Sequence, residues 1–368
     1  MKQLFVLMSW SLMVIAGTQL SGLAEAKIYI SEVLQKQGQP GLSTLISVFS
    51  SQETHLRSFH LNGQHVTVAP NQQHLVYLAL VKCDTGRSRY DRAFTLADTQ
   101  GVRQKRLPIT RRCQPGHDVE RIRWSPDSHR IAVLFKSPQW AGYRDFTLII
   151  YDLKQDKSLY RYVKKCSSSV SDYFYDISWF QDSNRVLLAG AGGIYIVNTE
   201  RQQIEPISTT SSKAYLTSND AHVVMLHGMT ETQAKGRVAI YEMRNRQYRS
   251  IMPLALFPVT ELVSPTPQLL LFQTLTGPPA TLPMLDLASA KLTLMETPGS
   301  FIVPLAVSPR NPRYIACLRG SDAEGLSYGI YELNSHRYRP LKFPAAERPQ
   351  GKSELLSILL NRIEWFVD

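Results

Sequence analysis

Apolar positions along this chain come in short alternating runs rather than in helical stripes. Arg121-Ile122-Arg123-Trp124 and Arg130-Ile131-Ala132-Val133-Leu134-Phe135 are two such runs, separated by Ser125-Pro126-Asp127-Ser128-His129. A period of two predicts strands. The Pro-Asp pair predicts a tight turn, because proline presets the first turn dihedral and a short carboxylate accepts backbone N–H groups two residues on.

The pattern recurs. Ile177 to Leu188 repeats it at an offset of 55 residues, from Asp127 to Asp182, with Trp179, Ser183 and Arg185 falling on Trp124, Ser128 and Arg130. Weaker copies begin at Val66, Tyr215, Leu262 and Leu305, making six first hairpins. Each is followed by a second hairpin, beginning at Phe94, Leu148, Gly193, Val238, Leu282 and Tyr328. Two hairpins per unit, at a period of roughly 40 to 55 residues, are the mark of a β-propeller with four-stranded blades.

The chain ends supply one more blade. Leu45 to Phe59 reads as an outer hairpin, Lys27-Ile28-Tyr29-Ile30 as a strand ahead of it, and Arg362 to Asp368 carries Trp365 where the copies carry Trp124 and Trp179. The expected fold is therefore all-β, a seven-bladed propeller over residues 27–368, with six or eight blades as the neighbouring counts. Its closing blade combines 27–63 with 360–368, and closure removes the free edges of an open sheet.

The first residues stand apart. Lys2, the apolar run from Leu4 to Gly17 and the small-x-small site Ala24-Glu25-Ala26 form a secretory signal over residues 1–26, too short in its apolar part for a membrane span. A periplasmic or secreted product with no transmembrane span after cleavage is expected. Export permits disulfides: Cys83 and Cys113 form a local candidate pair, Cys113 and Cys166 an alternative one, and Cys317 reads as a buried thiol in an apolar strand.

The strand–Ser-Pro-Asp–strand units at Ser125-Pro126-Asp127-Ser128 and Trp179-Phe180-Gln181-Asp182-Ser183 resemble the propeller repeat of the TolB family. The family's usual glycine after the aspartate is Ser128 here, and no segment is left after the signal for the α/β domain that precedes the propeller in TolB. WD-type repeats fit less well, since no Trp-Asp pair closes the third strands. The resemblance implies a Gram-negative periplasm and an envelope-associated partner.

Candidate chemistry adds little. Asp127 and Asp182 are read as turn-makers, and Trp124, Trp179 and Trp365 as packing between blades. No GxSxG, HExxH or phosphate-cradling loop occurs, the nine histidines are scattered, and no Cys/His spacing suits zinc. No catalytic, cofactor-binding or metal residue is assigned. The net charge of +11 is unchanged by loss of the signal, where Lys2 and Glu25 cancel. Arg103, Lys105, Arg106, Arg111 and Arg112, with Arg161, Lys164, Lys165, Arg244, Arg246, Arg249, Arg337 and Arg339, fall in or beside the expected outermost strands. Basic residues there discourage edge-to-edge association; the sharper reading is a basic rim for an anionic partner. A monomeric, non-catalytic binding module for a protein or anionic envelope component is expected, without nucleic acid. The alternative is a small hydrolase or lyase acting on a glycan or peptide in the propeller channel.

Overall fold

The computed structural model describes residues 10–15, 27–35, 42–50, 54–82, 90–109, 118–136, 143–167, 174–190, 193–209, 213–227, 236–254, 259–274, 281–297, 301–308, 311–321, 325–343 and 364–365. These residues form seven sheets, antiparallel except for one short parallel pair in the closing sheet, the seven blades of a β-propeller. Six are four-stranded with strands in sequential order: blade 1 (63–106), blade 2 (118–167), blade 3 (174–208), blade 4 (213–254), blade 5 (259–296) and blade 6 (301–340). Two compact units emerge. One contains blades 1 and 6 with the closing sheet; the other contains blades 2 to 5.

Burial explains the alternation. Middle strands are covered on both faces and read as unbroken apolar runs: Ile131 to Phe135 in blade 2 and Val223 to Leu226 in blade 4 are fully buried. First and last strands retain polar positions. Cores lie between adjacent sheets, where Leu134, Phe146, Leu148 and Ile150 of blade 2 meet Ile177, Val186, Leu188 and Val197 of blade 3. In the other unit, Ile28 and Ile30 of the closing sheet pack on Val303, Leu318 and Ile330 of blade 6. Tyr29, between them in sequence, packs the other way, on Val66, Val68 and Leu75 of blade 1. Period-two alternation thus serves two cores with one strand.

The closing sheet has five strands. Trp10–Ile15 pairs antiparallel with Lys27–Gln35, Val14 opposite Ile28; Leu42–Ser50 and His55–Leu61 follow. Glu364–Trp365 lies on the far side of Trp10–Ile15 and pairs with it in parallel. Strands from both chain ends therefore meet in one sheet.

Both turn series demand a left-handed residue. Gln72, Ser128, Ser183 and Asp220 supply it in first hairpins, with φ of 55, 62, 57 and 58°. Gly101, Asp156, Gln202, Arg246, Ala290 and His336 supply it in second hairpins. Ser128 thus occupies the conformation that glycine adopts without steric cost.

Candidate binding surface

The first turns are built around a side-chain acceptor. Asp127 Oδ1 accepts the His129 N–H at 3.0 Å and the Ser125 hydroxyl, whose oxygen in turn accepts the Arg130 N–H at 2.8 Å. Asp182 Oδ1 accepts the N–H groups of Asn184 at 2.9 Å and Arg185 at 3.0 Å. Burial works to raise the Asp182 pKa, but these N–H groups and the Arg185 guanidinium outweigh it and hold the carboxyl below its ordinary range. Asp220, in the corresponding turn of blade 4, is pushed above that range by its burial, with the nearby Asp182 charge adding to the effect.

These turns are also stitched sideways. The Asp127 N–H donates to Ser183 Oγ at 3.0 Å, and Arg130 donates to the Ser183 carbonyl at 2.9 Å and to Asn184 Oδ1. Arg130 also pairs with the buried Asp152 at 3.5 Å. One blade on, the Gln181 N–H donates to the Asp220 carboxylate. Trp124 is buried; Trp179 is half-buried and its indole N–H donates to the Arg123 carbonyl at 3.1 Å. The Trp365 side chain lies outside the described ones.

Charges on the first two strands of blade 2 and the first strand of blade 3 are paired. Arg121 and Arg123, two apart and so on one face, flank Asp176 at 3.6 and 3.3 Å, and Lys136 meets Glu120 at 2.9 Å. Sequence reasoning missed this cluster. Its signal was present in the aligned copies, since Arg-Ile-Arg-Trp in one stands against Asp-Ile-Ser-Trp in the next.

The last strands are different. Arg103, Lys105 and Arg106 are all exposed, at the end of a turn held by Asp98, which accepts the N–H groups of Gln100, Val102 and Arg103. Val102 stands 73% exposed at its tip. In blade 4 every residue from Arg244 to Arg249 is exposed, Tyr248 by 54%. Among the described residues, the exposed large apolar side chains are Leu56, Val102, Val163, Tyr248 and Leu294. All five sit on a last strand or in the turn leading into one. The sequence reading counted only the basic members of this surface. Some of those are engaged: Arg249 donates to the Leu287 carbonyl at 2.8 Å, Arg246 pairs with Glu205 at 3.4 Å, and Arg339 stacks over Tyr314.

Cys317 is buried, and burial pushes its thiol well above the usual range. Cys83, Cys113, Arg111 and Arg112 lie outside the described residues. Among the described residues no three His, Cys, Asp or Glu side chains gather as a metal site, and no helix is long and apolar enough to cross a membrane.

No protein-family model and no curated protein matches this sequence. Solved structures do. The β-propeller domain of the trilobed protease from Pyrococcus furiosus superimposes with a TM-score of 0.61 at 9% identity, over 91% of this chain and 98% of that one. The Pyrococcus horikoshii acylaminoacyl peptidase gives 0.61 at 9% identity, over 92% of this chain and 52% of its own, so the chain spans about half the peptidase. TolB from Acinetobacter baumannii gives 0.41 at 15% identity, over 85% and 79%, a weaker match than the protease propeller. The protease domain has an open velcro topology, whereas here strands from both ends enter one sheet. At such identities the likeness concerns architecture alone: this chain has the fold of a seven-bladed β-propeller.

Proposed function

We propose that the protein is an exported, TolB-like propeller that acts as a non-catalytic protein-interaction module in the periplasm or cell envelope. The observation that carries this reading is the composition of the last strands. Exposed basic side chains and the exposed large apolar ones share the same strands and turns, notably Val102 with Arg103, Lys105 and Arg106. A surface that only had to avoid edge pairing needs charge there, not valine or tyrosine. Mixed apolar and cationic surface suits an acidic protein partner, whose approach a net charge of +11 accelerates.

The test is capture of partners from envelope extract by the tagged protein, expressed with its own leader. Salt-sensitive recovery of an acidic protein, lost in an Arg103→Glu, Lys105→Glu, Arg106→Glu triple variant, is the expected outcome. Recovery of no protein, together with measurable hydrolysis of envelope glycan or peptide, would overturn it in favour of an enzyme. N-terminal sequencing of the exported protein is expected to start at Lys27, which removes Trp10–Ile15 from the closing sheet; a start at or before Trp10 would mean that this strand stays in the sheet and overturns the leader.

A further inference from the structure

Two blades carry the same turn with different results. In blade 6, Glu332 holds the second turn by accepting the Ser335 hydroxyl, His336 takes the left-handed position, and Tyr338 stands opposite Tyr331. In blade 4, Glu242 accepts the Asn245 amide, Arg246 takes the left-handed position, and Tyr248 stands opposite Tyr241. The two tyrosines are structural equivalents. Tyr338 is half-buried: its hydroxyl donates to the Ser327 carbonyl at 2.9 Å, and Arg319 stacks over its ring. It can lie flat only because residue 329 is glycine, where a Cβ would stand 2.4 Å from the ring.

In blade 4 the place of Gly329 is taken by Ala239 and that of Ser327 by Arg237. The methyl group blocks the flat position. Tyr248 instead leans on Tyr241, ring centroids 5.0 Å apart, and remains exposed. Arg244 and Arg246 lie in the turn just before it, both exposed; Arg249, next along the strand, points to the opposite face and donates to the Leu287 carbonyl of blade 5. The one described ion pair among them, Arg246 with Glu205, is itself largely in solvent, so it is weak enough to be exchanged. The strand that carries them, Gln247–Leu254, is bonded within its sheet on one side only.

We infer that Tyr248 is the anchor of a docking site for an extended, acidic segment of a partner protein, laid along the edge of Gln247–Leu254. Tyrosine and arginine together are the residue types that dominate binding hot spots, and an edge strand offers main-chain groups to an added strand. The exposed guanidinium groups of Arg244 and Arg246, in the turn that leads into Tyr248, select carboxylates over cations. The inference rests on the binding reading above and narrows it to one strand.

The test uses the full protein and a fluorescein-labelled ten-residue peptide of alternating Glu and Val, with the Lys-Val peptide and phosphatidylglycerol vesicles as comparisons. The expected result is salt-sensitive binding of the acidic peptide alone, weakened about tenfold or more by Tyr248→Ala with no change in melting temperature. Tyr338→Ala should do the reverse, lowering the melting temperature and sparing binding. Unchanged peptide affinity in Tyr248→Ala, or binding to the vesicles but not the peptide, overturns the site. A captured envelope protein retained by Tyr248→Ala would sink this site while leaving the general reading intact. Peptide binding lost in Tyr248→Ala, with no envelope protein captured, would do the opposite.

Discussion

Each blade has two hairpin turns, and they are used differently. A first turn such as Ser125 to Arg130 satisfies its own backbone and also reaches the next blade, through Asp127 N–H, Arg130 and the acceptors on Ser183 and Asn184. A second turn is mostly self-contained. Asp98, Asn198 and Asp286 each accept N–H groups within their own turn, and what crosses to the neighbour is a single side chain, such as Arg57 to the Thr99 carbonyl at 2.9 Å. Lateral fastening at the first turns leaves the second turns and last strands free to carry residues that stability does not require. That is where the exposed valine, tyrosine and arginines are found.

The contrast is broken most strongly at Arg130. Arg130→Ala removes two inter-blade hydrogen bonds and leaves the buried Asp152 carboxylate without its guanidinium. A loss of about 2–4 kcal/mol is expected, read from the urea midpoint. Arg103→Ala, in an exposed second turn, should stay within about 0.5 kcal/mol. Equal losses at the two arginines would remove the distinction between fastened and free turns.

A smaller effect separates turns of the same kind. Gly101 and Ala290 both hold the left-handed position of a second turn, with φ of 77 and 54°. A Cβ at Gly101 would also stand 3.1 Å from Leu61 and 3.2 Å from Phe59. Gly101→Ala should therefore cost about 1–2 kcal/mol, while Ala290→Gly relieves strain and should gain about 0.5–1 kcal/mol. Thermal melts of the two variants should move in opposite directions; movement in the same direction would mean that backbone strain is not what these turns share.

The seven sheets were legible because the signals were local. Each period-two hairpin with its polar turn lies within about fifteen residues, and the strongest copies, around Trp124 and Trp179, repeat at an offset of 55. The sideways bonds were half legible: Arg130 and Arg185 stood in one column of the repeat, but the acceptors of Arg130 lie more than 50 residues away, on a different blade. The fate of Tyr248 was not legible. Like Tyr338 it stands seven residues after the tyrosine of a Tyr-Glu pair and just before an arginine, and what differs lies on the partner strand, Ala239 in place of Gly329 and Arg237 in place of Ser327. The place of Trp10–Ile15 beside Lys27–Gln35 was likewise absent from the repeat pattern, because it fills a first-strand position without the tryptophan-bearing motif.

The finest separation lies within the first turns themselves and is a matter of pH. Asp182 titrates below its ordinary value, so its contribution to stability is complete above the unfolded-state pKa and is lost as pH falls through the lower folded one. Asp220 titrates above its ordinary value, chiefly through burial, so its charged form costs stability at neutral pH; the cost declines as pH falls through that raised value and is gone below the ordinary unfolded one. Asp220→Asn keeps an oxygen to accept the Gln181 N–H and removes the charge. It should be more stable than the wild type at pH 7, with the gain shrinking toward acid until the two midpoints meet. Asp182→Asn should instead lose stability at pH 7, since it gives up the Arg185 pair, and its deficit should shrink toward acid. The direction decides the matter. If both variants lose stability at pH 7, the inter-blade hydrogen bond at Asp220 depends on a full negative charge, and the two carboxylates act as equivalent fasteners.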